Sequence, residues 1–167
     1  MSEVNKHQVS VAAESQVAAL FAQSGYSVFV QYGANQPGYD LAVSNNEKTV
    51  LASVKGSQNG GWILTAKKKD GTYQSALDEW RKKNARYLFC FVQYEGVTLG
   101  SMPRIYLALG EDVARHLETG AWGKINLSLI EHKTITKGPK KGQVQSVPAN
   151  WALSEARIHA LFKASDA

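Results

Sequence analysis

The chain has 167 residues, of which 44% are hydrophobic and 20% are charged. This length predicts one domain, residues 1–167, with its own core, because domains commonly span about 100–200 residues. The apolar runs are shorter than the roughly 18–20 residues of a membrane span, and the first residues lack the charged-then-apolar order of a signal peptide. The one cysteine, Cys90, excludes an internal disulfide and predicts core packing in a reducing, cytoplasmic compartment.

Basic residues are unevenly distributed along the chain, whose formal net charge is +5 and whose isoelectric point is about 9.3. No acid occurs between Glu131 and Glu155. Such clusters predict binding to a polyanion, most simply nucleic acid, although a solvated basic surface explains the same pattern. The clusters are Lys67, Lys68 and Lys69, then Arg81, Lys82, Lys83 and Arg86, and finally Lys133, Lys137, Lys140 and Lys141.

The first half of the chain predicts a helix, three strands, a helix and a strand, with a further short strand ahead of the second helix. The first helix has Ala13, Val17 and Phe21 on its apolar face and ends at Gly25. This order predicts a mixed α/β sheet flanked by helices. The predicted helices are 9–24 and 73–84, and the predicted strands are 26–30, 39–43, 49–55, 62–64 and 87–92.

The second half predicts further strands and helices without a linker long enough to divide the chain. Its predicted elements are a strand at 104–109, a helix at 112–119 closed by Gly120, a strand at 125–130 and a helix at 154–163. Ser154 is the predicted N-cap of the last helix, from which Arg157 and His159 are expected to project outward. We treat residues 93–167 as a C-terminal extension of a core at about residues 9–92.

Polar side chains interrupt two of the predicted strands. Asp40 lies in one of them, and Ser53 and Lys55 lie in the next. Because side chains alternate across a strand, Ser53 and Lys55 share one face of their strand, and Tyr39 is expected to share a face with Leu41. An acid and an amine in apolar strands are costly unless they face each other, water or a metal. These residues therefore indicate a site.

Glu14 lies at the flank of the apolar face of the first helix, where it is either an exposed edge acid or part of the same site. Two carboxylates and a lysine at one sheet edge suit metal-assisted phosphodiester hydrolysis. Asp40 and Glu14 are suitable ligands for magnesium, which keeps several waters and uses few protein carboxylates. Lys55 is placed to stabilise charge on a phosphate or to orient the attacking water.

In this arrangement the chain resembles the PD-(D/E)XK nuclease superfamily, which includes restriction endonucleases, Holliday-junction resolvases and intron homing endonucleases. Glu14 matches the helix glutamate of that family. Gly38-Tyr39-Asp40 matches its Gly-x-Asp motif, and Ser53-Val54-Lys55 matches its acid-x-Lys motif. The resemblance covers roughly residues 9–92 and leaves residues 93–167 unassigned.

The resemblance implies a restriction-endonuclease-like αβββαβ core and a Mg²⁺- or Mn²⁺-dependent endodeoxyribonuclease. It implies catalytic roles for Asp40, Lys55, Glu14 and the position of Ser53. It also implies that the main-chain carbonyl of Val54 reaches the metal together with Asp40 and Glu14. Cutting both strands of duplex or branched DNA predicts a homodimer or a higher homo-oligomer. The residues expected to contact DNA are Lys67, Lys68, Lys69, Gln74, Lys137, Lys140 and Lys141.

Ser53 departs from the family, which has Glu, Asp or sometimes Gln at that position. Serine is shorter and uncharged, so it is at most a weak or water-bridged metal ligand. Three interpretations stay open: a natural variant in which Glu14 supplies the second carboxylate, a naturally inactive site, or a sequence altered to trap an inactive state. The alternative functions are therefore an inactive DNA-binding module of the same fold and a protein-interaction domain.

Two further interpretations of individual residues are relevant to function. We disfavour the interpretation that Ser53 and Lys55 form a serine–lysine hydrolase pair, because no oxyanion motif accompanies them. Trp62, next to a glycine-rich loop, is expected either to pack in the core or to contact DNA. No phosphate-binding glycine motif is present, so we do not predict nucleotide binding.

Overall fold

A computed structural model describes residues 4–31, 38–65, 72–119 and 126–164. The basic cluster Lys67, Lys68 and Lys69 and the predicted helix stop at Gly120 lie outside these ranges. The helices are α1 (Lys6–Gln23), α2 (Tyr73–Asn84), α3 (Gly110–Thr119) and α4 (Glu155–Ala164), with a short 3₁₀ helix at Ala149–Trp151. The strands are β1 (Ser27–Val30), β2 (Leu41–Asn45), β3 (Lys48–Ser57), β4 (Gly61–Thr65), β5 (Leu88–Gln93), β6 (Arg104–Leu109), β7 (Leu127–Ile130), β8 (His132–Thr134) and β9 (Val144–Ser146).

The central sheet has the strand order β1-β2-β3-β5-β6. Strands β3 and β5 pair in parallel, and the other neighbours are antiparallel, so the sheet is mixed. A parallel pair needs a crossover, which α2 supplies here. The predicted α/β class and the αβββαβ order are therefore confirmed, with β4 inserted between β3 and α2. Strand β4 leaves the central sheet and pairs with β7 in a separate two-stranded ribbon.

Helices cover both faces of the central sheet, and each face has its own apolar core. On one face α1 and α4 pack over the sheet through residues such as Ala13, Val17 and Phe162. On the other face α2, α3 and the β4–β7 ribbon pack over Phe89 and Phe91. All six residues of β5 are buried, as its apolar run predicts for a strand between two cores. Cys90 is fully buried in this strand, and burial raises the pKa of its thiol.

The predicted alternation along β3 is confirmed, because Val50, Ala52 and Val54 all belong to the core under α1. The prediction for Tyr39 is wrong: its side chain packs against the core on the opposite face from Leu41. The reason is that β2 begins at Leu41, so strand alternation does not extend back to Tyr39.

Helix α1 lies unusually close to β3 at Gly56. A Cβ atom at this position would lie 2.8 Å from the carbonyl oxygen of Val9 and 3.0 Å from the Cβ of Ala13. Only glycine admits a helix at this distance without displacing it. Gly56 therefore fixes how closely the N-terminal half of α1, which carries Glu14, approaches the end of β3.

Helix α4 begins as predicted, because the Ser154 hydroxyl oxygen accepts a hydrogen bond of 3.1 Å from the backbone N–H of Arg157. The expectation that Arg157 projects outward is wrong. Its Nε donates to the carbonyl oxygen of Leu107 at 3.0 Å, and its second terminal nitrogen is buried. Arg157 thus covers a carbonyl of β6, a strand at the margin of the central sheet. Within the described ranges, none of the helices is both long enough and apolar enough to span a membrane.

Candidate active site

A cleft of about 830 Å³ opens at the C-terminal end of β3, between the N-terminal half of α1 and the β4–β7 ribbon. Glu14, Asp40, Val54 and Lys55 all line it. They come from three places in the chain: α1, the residue before β2, and β3. The structure therefore brings together the acids and the lysine that the sequence singled out.

Asp40 is held by hydrogen bonds at both its main chain and its side chain. Its backbone N–H donates to the carbonyl oxygen of Ala52 at 2.8 Å. Its carboxylate oxygen Oδ2 accepts from the backbone N–H of Val54 at 2.6 Å and from the hydroxyl of Ser53 at 3.2 Å. Among the described residues, these bonds to the carboxylate both end on Oδ2. The other oxygen, Oδ1, is the one that they leave available to a cation.

Gly38 sets the path of the chain into Asp40. Its φ is +105°, in the left-handed region that favours glycine, and a Cβ atom there would lie 2.7 Å from the hydroxyl oxygen of Tyr87. Both the backbone conformation and the contact with Tyr87 therefore require glycine. The glycine two residues before Asp40 therefore has a local structural cause, in addition to its match to the Gly-x-Asp motif.

Glu14 is half-buried on α1, directly after Ala13, which is fully buried in the apolar face of the helix. Burial raises the pKa of its carboxyl, and the negative charge of Asp40 raises it further. Lys55 and His7 act in the opposite direction and lower it. Glu14 thus lies within electrostatic reach of both Asp40 and Lys55, and a cation between the two carboxylates would relieve their repulsion.

The donor set fits a hard, hydrated divalent cation. Glu14 and Asp40 offer carboxylate oxygens, the ligand type that Mg²⁺ takes in proteins while it keeps several waters. No group of three or more His, Cys, Asp or Glu side chains converges within the described ranges, which leaves no site of the kind that binds zinc through protein ligands alone. A metal in this cleft would therefore hold few protein ligands and several waters.

Ser53 lies at the position where the sequence resemblance implies a second acid, and the residue is 5% exposed. Its hydroxyl donates to Asp40 Oδ2 at 3.2 Å. The residue therefore orients the carboxylate by donating a hydrogen bond, where a Glu or Asp would instead supply a second negatively charged oxygen ligand.

Of the residues predicted to contact DNA, those that the structure describes do not line the cleft. Gln74 lies on α2, where its amide donates to Asp78 at 2.9 Å, and it does not line the cleft. The turn between β8 and β9 carries Lys137, Lys140 and Lys141, of which none lines the cleft. The cleft residue from the same basic stretch is Lys133 in β8, next to His132. Lys67, Lys68 and Lys69 lie outside the described residues.

Trp62 packs in the core, as the first of the two expectations states, and its edge lies at the base of the cleft. The side chain is 3% exposed, and its indole N–H donates to the carbonyl oxygen of Val92 at 3.2 Å. Its ring packs against Phe91 at a centroid distance of 5.4 Å. Residues that sequence reasoning missed in the cleft include Lys6, Asn59, Ile63 and Glu95. No local signal marks them, because strands that are distant in sequence bring them together.

No protein-family model matches the chain, and no curated protein matches it. Among solved structures, the chain is similar to the bacterial homing endonuclease I-Ssp6803I, with 13% sequence identity and a TM-score of 0.47 over 98% of this chain and 96% of that one. It is also similar to Hjc, a Holliday junction resolvase of Archaeoglobus fulgidus, with 13% identity and a TM-score of 0.44 over 72% of this chain and 88% of that one. These values are too low to support a function, which must be argued from the residues of the cleft.

Proposed function

We propose that this protein is a metal-dependent DNA endonuclease that hydrolyses phosphodiester bonds in the cleft at the end of β3. The observation that supports this most directly is that Glu14, Asp40 and Lys55 line one cleft although they come from three separate elements. Placing two acids and an amine together in partly buried positions is unfavourable for stability alone. The same set suits the binding of a cation against a phosphate.

Each of these side chains has a distinct role. Asp40, held at Oδ2 by the Val54 N–H and the Ser53 hydroxyl, presents its other oxygen to Mg²⁺ or Mn²⁺. Glu14 supplies the second carboxylate, and the carbonyl of Val54 is the further ligand that the family resemblance implies. When bound, such an ion lowers the pKa of a coordinated water and neutralises charge on the phosphate. The Lys55 ammonium donates hydrogen bonds to a non-bridging phosphate oxygen or to the attacking water.

DNA is the proposed substrate because basic side chains lie along one rim of the cleft. His132 and Lys133 line the cleft at the start of the β8–β9 hairpin, and Lys137, Lys140 and Lys141 lie outside the cleft in the turn of that hairpin. On the opposite wall, Lys6 begins α1. Contacts of this kind to phosphates set affinity, which then falls steeply with salt. Cleavage of both strands of duplex or branched DNA requires two such clefts, and hence a homodimer or a higher homo-oligomer.

A plasmid-nicking assay in Mg²⁺ tests the proposal. We expect the unmodified chain to nick supercoiled DNA, and we expect Asp40→Asn and Lys55→Ala each to abolish nicking. Glu47→Gln is the matched control, because Glu47 is an exposed acid in the turn between β2 and β3 and does not line the cleft. Equal background cleavage by the unmodified chain and by Asp40→Asn would refute catalysis by this chain.

The second candidate function is a DNA-binding module without catalysis, and Ser53 is the observation that favours it. A hydroxyl that donates to Asp40 cannot replace the charge of a second carboxylate. Restoring an acid or amide by Ser53→Glu or Ser53→Gln separates the two functions. A gain of Mg²⁺-dependent nicking would indicate a nuclease weakened at this position, and an absence of any gain with retained DNA binding would indicate a binder. An absence of DNA binding at low salt would instead favour a protein-interaction domain.

A further inference from the structure

The β4–β7 ribbon has one buried and one open face. Strand pairing places Ile63 opposite Ser128 and Trp62 opposite Leu129. Trp62 and Leu129 are buried against the central sheet, whereas Ile63 is 69% exposed and Ser128 is partly exposed. An isoleucine exposed to this extent in the middle of a strand contributes nothing to the core below it. The open face of the ribbon is therefore accessible to a molecule bound in the cleft.

That open face belongs to the same cleft as the carboxylates and the lysine. Ile63 and Ser128 line it together with Asp40 and Lys55. The loop between β3 and β4 adds Asn59, which also lines the cleft. A DNA strand with its phosphate at Lys55 therefore passes next to an apolar side chain, a hydroxyl and an amide. These are the groups that contact base edges: apolar side chains pack on the thymine methyl, and hydroxyls and amides hydrogen-bond to bases.

The ribbon is fixed to the central sheet at the end near the cleft. The Trp62 indole N–H donates to the Val92 carbonyl oxygen at 3.2 Å. The backbone N–H of Glu131, directly after β7, donates to the carbonyl oxygen of Gly60 at 2.9 Å. The carboxylate of Glu131 in turn accepts from Arg104 Nε at 2.7 Å and from the Tyr106 hydroxyl at 2.8 Å, both on β6. A surface held in this way loses little conformational entropy on binding.

The dimensions of the ribbon suit the major groove of duplex DNA. Two paired strands lie about 4.7–4.9 Å apart, and with their side chains they fit a groove about 12 Å wide but not a minor groove about 6 Å wide. His132 and Lys133 follow the ribbon at the rim, where the phosphates beside the groove would lie. Glu95, an acid in this half of the cleft, is a suitable acceptor for the exocyclic amine of cytosine.

We infer that the open face of the β4–β7 ribbon contacts base edges in the major groove of duplex DNA and gives this protein a sequence preference, with Ile63 and Ser128 as specificity-determining residues. The inference rests on the proposed function, since it places the scissile phosphate at Asp40 and Lys55. It adds that the substrate is duplex DNA of preferred sequence next to the cut.

Binding selection from a duplex library with a random central segment, carried out with a chelator in place of Mg²⁺ so that bound duplexes are not cut, tests the inference. We expect the unmodified chain to enrich a motif. We expect Ile63→Ala and Ser128→Ala each to lose the preference at one or two positions by about fivefold or more, while they retain duplex binding. Leu99→Ala is the matched control, because Leu99 is a fully exposed apolar residue outside the cleft and is expected to keep the motif. Since Ile63 is exposed, its truncation should leave the melting temperature unchanged.

Three results would overturn the inference without touching the proposed nuclease. One is duplex binding or nicking by the unmodified chain with no enriched motif. Another is an identical motif for the unmodified chain, Ile63→Ala and Ser128→Ala. Tighter binding to single-stranded than to duplex DNA would also overturn it. An absence of both binding and nicking on every DNA tested would instead refute the proposed function itself, and the inference with it.

Discussion

From the hydrogen bonds at Asp40 we predict the melting temperatures of two variants that remove its charge. In Asp40→Ala the backbone N–H of Val54 loses the acceptor that now lies 2.6 Å away, and the Ser53 hydroxyl loses its partner. In Asp40→Asn the side-chain oxygen can still accept from both groups. The two variants therefore abolish the same charge but differ in the hydrogen bonds that they leave unmade.

An unpaired donor at a partly buried site costs about 1–3 kcal/mol. For a protein of about 150–250 residues, each kcal/mol lowers the melting temperature by roughly 2–4 °C. We therefore expect Asp40→Ala to melt about 2–12 °C below the unmodified chain, and Asp40→Asn to melt close to it. Thermal unfolding followed by circular dichroism at pH 7, in the presence of a chelator, measures both.

The opposite order of the two melting temperatures would refute the geometry at Asp40. Equal melting temperatures for all three proteins would show that Oδ2 does not hold the Val54 N–H in solution. The same pair of variants also sharpens the nicking assay, because loss of activity in Asp40→Asn without loss of stability isolates the chemical role of the carboxylate.

Glu14→Gln should raise the melting temperature at pH 7. Burial and then Asp40 raise the pKa of Glu14, so its ionised carboxylate destabilises the fold above that pKa. The gain should disappear as the pH falls below 4.5, where the carboxyl group is protonated in both the folded and the unfolded chain. Gly56→Ala should lower the free energy of unfolding by about 1–3 kcal/mol, because the new Cβ meets Val9, and adding Val9→Ala should recover part of that loss in denaturant titrations. Hydrogen bonds from Arg104 and then from Tyr106 lower the pKa of Glu131, so its contribution to stability is present above pH 4.5 and is lost as the pH falls through the folded pKa. Glu131→Gln should therefore flatten the acid side of the stability profile, and an unchanged profile would contradict that pairing.

Elements with strong local signals were predictable from the sequence to the residue. Helix α2 spans Tyr73–Asn84 as predicted, because its apolar spacing coincides with a capping box at Thr72 and basic residues in the last turn. Strand β6 likewise spans Arg104–Leu109. The two acids and Lys55 could be connected because they lie on, or directly before, elements of clear type and order.

Features that depend on contacts between distant segments could not be predicted. The pairing of β4 with β7 joins residues more than sixty positions apart, and neither strand carries a signal for its partner. The cleft wall built by this ribbon, including Ile63, was therefore missed. The outward position predicted for Arg157 is wrong for the same reason. The periodicity of a helix does not show that a neighbouring strand has a carbonyl oxygen within reach of the Arg157 guanidinium.

Ser53 connects the stability of the site to its proposed chemistry. Its hydroxyl and the Val54 N–H orient Asp40 without any need for a cation, so this carboxylate is positioned before metal binds. A third carboxylate at this position would repel Asp40 and Glu14 in the absence of metal. Burial and, after it, the charge of Asp40 already raise the pKa of Glu14. Serine removes that repulsion and, with it, one charged ligand for the ion. Under the proposed function, metal affinity would depend chiefly on Asp40 and Glu14, and so on the close approach of α1 to β3 at Gly56.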